Sequence, residues 1–135
     1  MKRRLGIAAA LAAVSTCFLA APAAPAGGVP PKLIGTWTKP GKGLIQETGL
    51  VTMVVRPNGR LTVLPPGATT AWQVRFSARA DGQLTVGPMG ECVIGGFLDA
   101  GAYRWKVAGR TLTITTVRDK CAFEVRWFAG SWTRK

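Results

Sequence analysis

The chain has 135 residues, no His, and 18 Lys or Arg against 6 Asp or Glu, a formal net charge of +12. Without His no Ser-His or Cys-His couple can form, and with only three Cys the usual nitrogen and sulfur metal ligands are lacking. One domain is expected at this length, with a surface suited to polyanions.

The first residues read as a secretion signal. "MKRR" is cationic, "LGIAAALAAVSTCFLAA" is an apolar run, and "APAAPA" supplies the small residues of a cleavage site. The run falls short of the ~20 apolar residues that span a bilayer, so no transmembrane span is expected. Cleavage is expected near Ala23 or Ala26, which divides the chain into a signal peptide (1–26) and one domain (27–135). "VSTC" resembles the box before a lipid-modified Cys, but Thr16 fits it poorly and apolar residues follow, so Cys17 is expected to leave with the signal. Removal of 1–26 takes Lys2, Arg3 and Arg4 and leaves the domain at +9. A secreted, periplasmic or cell-envelope location follows.

Gly and Pro then punctuate the chain every 8–12 residues or so, and the runs between them alternate with period two, the pattern of an all-β sandwich or barrel. Leu33 to Thr38 is a first strand and Pro40 to Gly43 a turn, with Leu44 to Thr48 continuing the strand. Leu50 to Arg56 and Arg60 to Leu64 form a hairpin about Pro57-Asn58-Gly59. Trp72, Val74, Phe76 and Ala78 share one face of a strand, opposite Gln73, Arg75, Ser77 and Arg79. Asp81-Gly82 is a hairpin turn before Leu84 and Val86. Gly87 to Gly101 is a looser segment in which "FLDAG" is expected to hold a helical turn. Tyr103, Trp105 and Val107, then Leu112 and Ile114, alternate on two more strands. Cys121, Phe123, Val125 and Trp127 alternate on a last long strand before Gly130 and Trp132. The expected fold is an up-and-down antiparallel eight-stranded barrel, whose closure removes exposed edges and whose interior is filled or holds one small ligand.

Cys92 and Cys121 form an even pair outside the cytosol, most simply a disulfide. It would close a loop of about 30 residues, worth roughly 3–4 kcal/mol. Catalytic material is poor. Ser77 lies on a solvated face, Ser131 in a turn, and Asp81 in its hairpin. Asp119 and Glu124 are placed to pair with Arg118 or Lys120. No pair of acids is set across a cleft, so the chain is expected not to be an enzyme and to need no metal or cofactor. The five Trp are the richer pattern. Trp72, Trp105 and Trp127 lie on apolar registers as core, whereas Arg75, Arg79, Arg104, Lys106 and Arg126 fall on opposite faces. No mixed basic and aromatic groove for single strands is therefore expected, and the cations are expected to be spread over the barrel.

"LIGTWT" near the start resembles the Gly-x-Trp signature on the first strand of lipocalins and their calycin relatives. The second half resembles the end of small secreted lipocalin-like bacterial domains through Tyr103, Trp105, Gly109, Leu112, Thr113, Asp119, Cys121, Trp132 and Arg134, with Glu124 standing where that pattern carries Arg. The resemblance implies a barrel in which the first-strand Trp closes one end under an Arg from near the last strand, here Arg126 or Arg134. Gly35, Trp37, Gly130, Trp132 and Arg134 are then the closure residues. Trp72, Trp105, Tyr103 and Phe76 are the candidate walls for a small apolar or planar ligand at the open mouth.

The expected function is a secreted, non-enzymatic, lipocalin-like binding protein for such a ligand, as a monomer. The alternatives are a basic module for an anionic polymer, or a protein-binding or protease-inhibitor module acting through Pro40 to Gly49 and Gly87 to Gly101.

Overall fold

A computed structural model describes residues 28–135; the expected signal peptide and Cys17 lie outside them. After a 3-10 turn at Pro31–Leu33 come β1 (Gly35–Lys42), β2 (Thr48–Val55), β3 (Leu61–Leu64), β4 (Trp72–Val74), β5 (Phe76–Ala78) and β6 (Gln83–Val86). Helix α1 (Gly90–Ile94), β7 (Gly101–Ala108), β8 (Thr111–Arg118), helix α2 (Ala122–Phe128) and β9 (Gly130–Arg134) follow. All strands join one antiparallel sheet in the order β4-β3-β2-β1-β9-β8-β7-β6-β5.

The sheet has nine strands, not the expected eight, and is a nearly closed barrel. The run from Trp72 to Ala78 keeps the expected alternation but breaks at Arg75. Its first half pairs with β3 and its second with β6, so one bent segment serves both ends of the sheet. The Gly87 N–H donates to the Arg75 carbonyl at the break.

Three other expectations are corrected. The alternating run Cys121 to Trp127 is the helix α2, which buries Glu124, Trp127 and Phe128. Those three share one face at i, i+3 and i+4. Pro40 lies inside β1 rather than in a turn, and the chain reverses after Lys42, where the Gly43 N–H bonds the Glu47 carbonyl. The helical turn expected in "FLDAG" lies just before it, as α1.

Interior positions follow the strand period. Trp37, Val51, Met53, Val55, Leu61, Val63, Leu84, Val86, Tyr103, Trp105, Leu112, Ile114 and Trp132 form the core with Trp127 and Phe128 from α2. The barrel has two unlike ends. The hairpins β2–β3, β5–β6 and β7–β8, the 3-10 turn and the end of β9 share one. The other, where the longer loops lie, carries α1 and α2, joined by the Cys92–Cys121 disulfide. Among the described residues no helix is long and apolar enough to cross a membrane.

Candidate functional site

β1 and β9 begin with the same motif, Gly-x-Trp-Thr and then a cation, and they run antiparallel. Register places Trp37 opposite Arg134 and Thr38 opposite Thr133. The Arg134 guanidinium lies 4.2 Å from the Trp37 ring, and the Lys39 ammonium 4.5 Å from the Trp132 ring. Each indole N–H donates to a carbonyl four residues earlier, Trp37 to Leu33 and Trp132 to Phe128. Each cation reaches carbonyls beside the partner motif: Arg134 those of Ile34 and Lys32, Lys39 those of Arg126 and Ala129. Gly35 (φ 141°) and Gly130 (φ 122°) occupy conformations that favour Gly, and a side chain at Gly35 would meet Arg134 Nη1. Of the two candidate arginines, Arg134 covers Trp37, while Arg126 lies on α2 over Trp127 at 5.1 Å. Burial pushes Lys39 down to about 8, against which its two carbonyls and the ring favour the charged form.

The four candidate ligand walls do not converge. Trp72 packs 5.1 Å edge-on against Trp127 and 5.7 Å from Phe123, lining a cleft of about 360 Å³ with Met89 and Glu91. Phe76 lines a different cleft of about 170 Å³ with Val29 and Arg79. Trp105 is buried and donates to the Arg79 carbonyl. Tyr103 is buried, and its hydroxyl donates to Asp119. The barrel end expected as an open mouth carries α2, whose Trp127 and Phe128 fill the core.

Asp119 and Glu124 do not pair with Arg118 or Lys120. Asp119 accepts from Tyr103 and from the Cys121 N–H at 2.8 Å. Glu124 is 1% exposed; one oxygen accepts from the Met89 N–H at 2.9 Å and the other has no partner among the described residues. The Cys92 sulfur lies 3.5 Å from the first oxygen, a packing contact because a disulfide sulfur carries no proton. Burial and the nearby Asp119 carboxyl push Glu124 up to about 7. Burial and Asp119 also raise Tyr103.

The charges are not evenly spread. At the hairpin end Arg56 and Arg60 flank the β2–β3 turn, Arg79 begins the β5–β6 turn, and Arg110 lies in the β7–β8 turn with Arg104 and Lys106 on the strand leading to it. Lys32, Arg134 and Lys135 lie beside them, since β1 starts and β9 ends there; the Arg110 guanidinium donates to the Arg134 carbonyl. Among the described residues Asp81 is the one acidic side chain at this end, 3.1 Å from Arg79. Glu47, Glu91, Asp99, Asp119 and Glu124 all lie at the helix end. This distribution depends on which turns share an end, and hairpin alternation was the sequence pattern that could have revealed it.

The exposed aliphatic side chains collect at the helix end, with Leu44 and Ile45 on the β1–β2 loop and Ile94 and Leu98 in the segment after β6. Among the described residues no cluster of His, Cys, Asp or Glu is arranged to hold a metal ion. No protein-family model matches the chain, and neither a curated protein nor a solved structure matches it.

Proposed function

We propose that this chain is a secreted, non-enzymatic binding barrel on a lipocalin-like frame that docks an anionic polymer through its hairpin end. The observation that carries this reading is the group of cations on three hairpins and the adjoining ends of β1 and β9, with Asp81 the one acidic side chain among them in the described residues. Such a surface concentrates a polyanion and binds it by releasing counterions. Hairpin tips suit the task because their short turns are held by the barrel's ladders, so the cations are presented with little ordering left to do.

The test is titration of a fluorescent sulfated polysaccharide against the protein at several salt concentrations. Affinity is expected to fall steeply with salt. Replacing Arg56, Arg60 and Arg110 together by Ser is expected to reduce the slope of log affinity against log salt by up to about 3, near one per cation. Replacing Lys42, Arg118 and Lys120, which lie at the helix end, removes the same charge and is expected to change it far less. Equal losses from the two triple variants would mean that bulk charge alone attracts the polymer, and would overturn the reading.

A second reading rests on the cleft between Trp72 and Phe123, where two half-buried rings form an open wall. A planar apolar ligand there is expected to quench Trp fluorescence, and Trp72→Leu to abolish that response while leaving polymer binding intact. A silent titration across lipids and aromatic metabolites would remove this reading.

A further inference from the structure

β1 and β9 part company two residues into their ladder. After Trp37–Arg134 and Thr38–Thr133, Lys39 faces Trp132, and the next pair placed to exchange hydrogen bonds, in phase with the Lys135 N–H bond to the Thr36 carbonyl, would be Pro40 and Ser131. Pro40 has no N–H, so the Ser131 carbonyl finds no donor there, and the ladder stops. Pro in a strand is tolerated only where no neighbour needs its donor. The strands then splay around a cleft of about 400 Å³, walled by Lys39, Lys42, Arg126, Trp127 and Ser131.

We propose that this cleft binds a dianionic phosphate group. Three cations from three separate backbone positions line it, and no carboxylate lies among its lining residues. The Lys39 and Arg126 side chains are held by neutral carbonyls rather than by acids, and Lys42 contributes an exposed ammonium. The Lys39 ammonium donates to Arg126 and Ala129 at 3.2 and 2.8 Å, and Arg126 Nη2 donates to Lys42 at 3.0 Å. Those bonds fix position without neutralising charge. Nε and Nη1 of Arg126 make no hydrogen bond among the described residues, which leaves part of a planar fork for an oxyanion. A tetrahedral dianion suits three such cations better than a single carboxylate does, and the cleft has room for the remainder of an ester. The site lies at the helix end, away from the basic hairpins, so it stands or falls independently of the polymer reading.

Calorimetric titration tests it, with inorganic phosphate and with glycerol phosphate at constant ionic strength. The proteins are the unmodified chain, Arg126→Gln, Lys42→Gln and the Arg56, Arg60, Arg110 triple Ser variant. Saturable one-to-one binding is expected. Arg126→Gln should weaken it about tenfold or more, the scale of a lost charged hydrogen bond, and Lys42→Gln severalfold. The hairpin variant should bind as the unmodified chain does. Lys42 is exposed, so its replacement reads the site without disturbing the core. Tighter binding of glycerol phosphate assigns the site to an ester, and equal binding assigns it to the free anion. Absence of saturation, or a loss in the hairpin variant as large as that in Arg126→Gln, overturns the proposal.

Discussion

Replacing Trp37 by Ala is expected to lower stability by about 3–5 kcal/mol, the range for truncating a fully buried Trp, read as a shift in the urea midpoint. Three losses act together. The indole is 0% exposed and sits between the 3-10 turn and the core, so its removal leaves a cavity. Its N–H bond to the Leu33 carbonyl disappears, leaving a buried acceptor without a donor. Arg134 loses the ring beneath it while remaining tied to Ile34 and Lys32. The motif is doubled, so Trp132→Ala is expected to behave alike, with Lys39 the stranded cation. Because the two pairs share one short ladder, the double variant should depart from additivity. A near-neutral Trp37→Ala would mean that the β1–β9 seam does not hold the barrel closed.

The doubled motif also shows what could be read in advance. Gly-x-Trp-Thr at both ends of the domain, with a cation after each, leads directly to a seam in which first and last strands meet. Antiparallel register then forces each Trp opposite the other strand's cation. The hairpins at Asn58-Gly59 and Asp81-Gly82 were legible for the same reason: two-residue turn chemistry is local. α2 was not. Over seven residues, "AFEVRWF" fits a period of 2 through Phe123, Val125 and Trp127 and a period of 3.6 through Glu124, Trp127 and Phe128, and short segments are decided by what they pack against. The break at Arg75 was equally hidden, because alternation on one face says nothing about which strand is the neighbour. The same limit applied to the charges. Spacing along the chain left the cations evenly scattered, and only the topology gathers Arg56, Arg79 and Arg110 at one end. Pro40 looked like a turn residue because its missing N–H is harmless only at a seam that opens there.

Glu124 is expected to make the protein less stable as pH rises from about 4.5 to about 7. Its carboxyl is buried among Met89, the disulfide and Asp119, and one oxygen has no donor among the described residues. The unfolded chain ionises this group near 4.5 and the folded chain near 7. Between those values the folded state holds a proton that the unfolded state has released, so unfolding is favoured progressively as pH rises. Below about 4.5 both states are protonated and the penalty vanishes; above about 7 it is present in full, roughly 3 kcal/mol for a shift of this size. Glu124→Gln removes the ionisation while keeping an acceptor for the Met89 N–H. Its urea midpoint should therefore exceed that of the unmodified chain at pH 8 and match it near pH 4. Lys39, pushed down by burial, titrates near 8, above this window, and Tyr103, pushed upward, higher still. A difference between the two proteins that stays constant from pH 4 to pH 8 would show that Glu124 acts by packing alone. A difference that opens as pH rises identifies the buried acid beneath the Cys92–Cys121 bridge as the group that loosens the helix-capped end of the barrel.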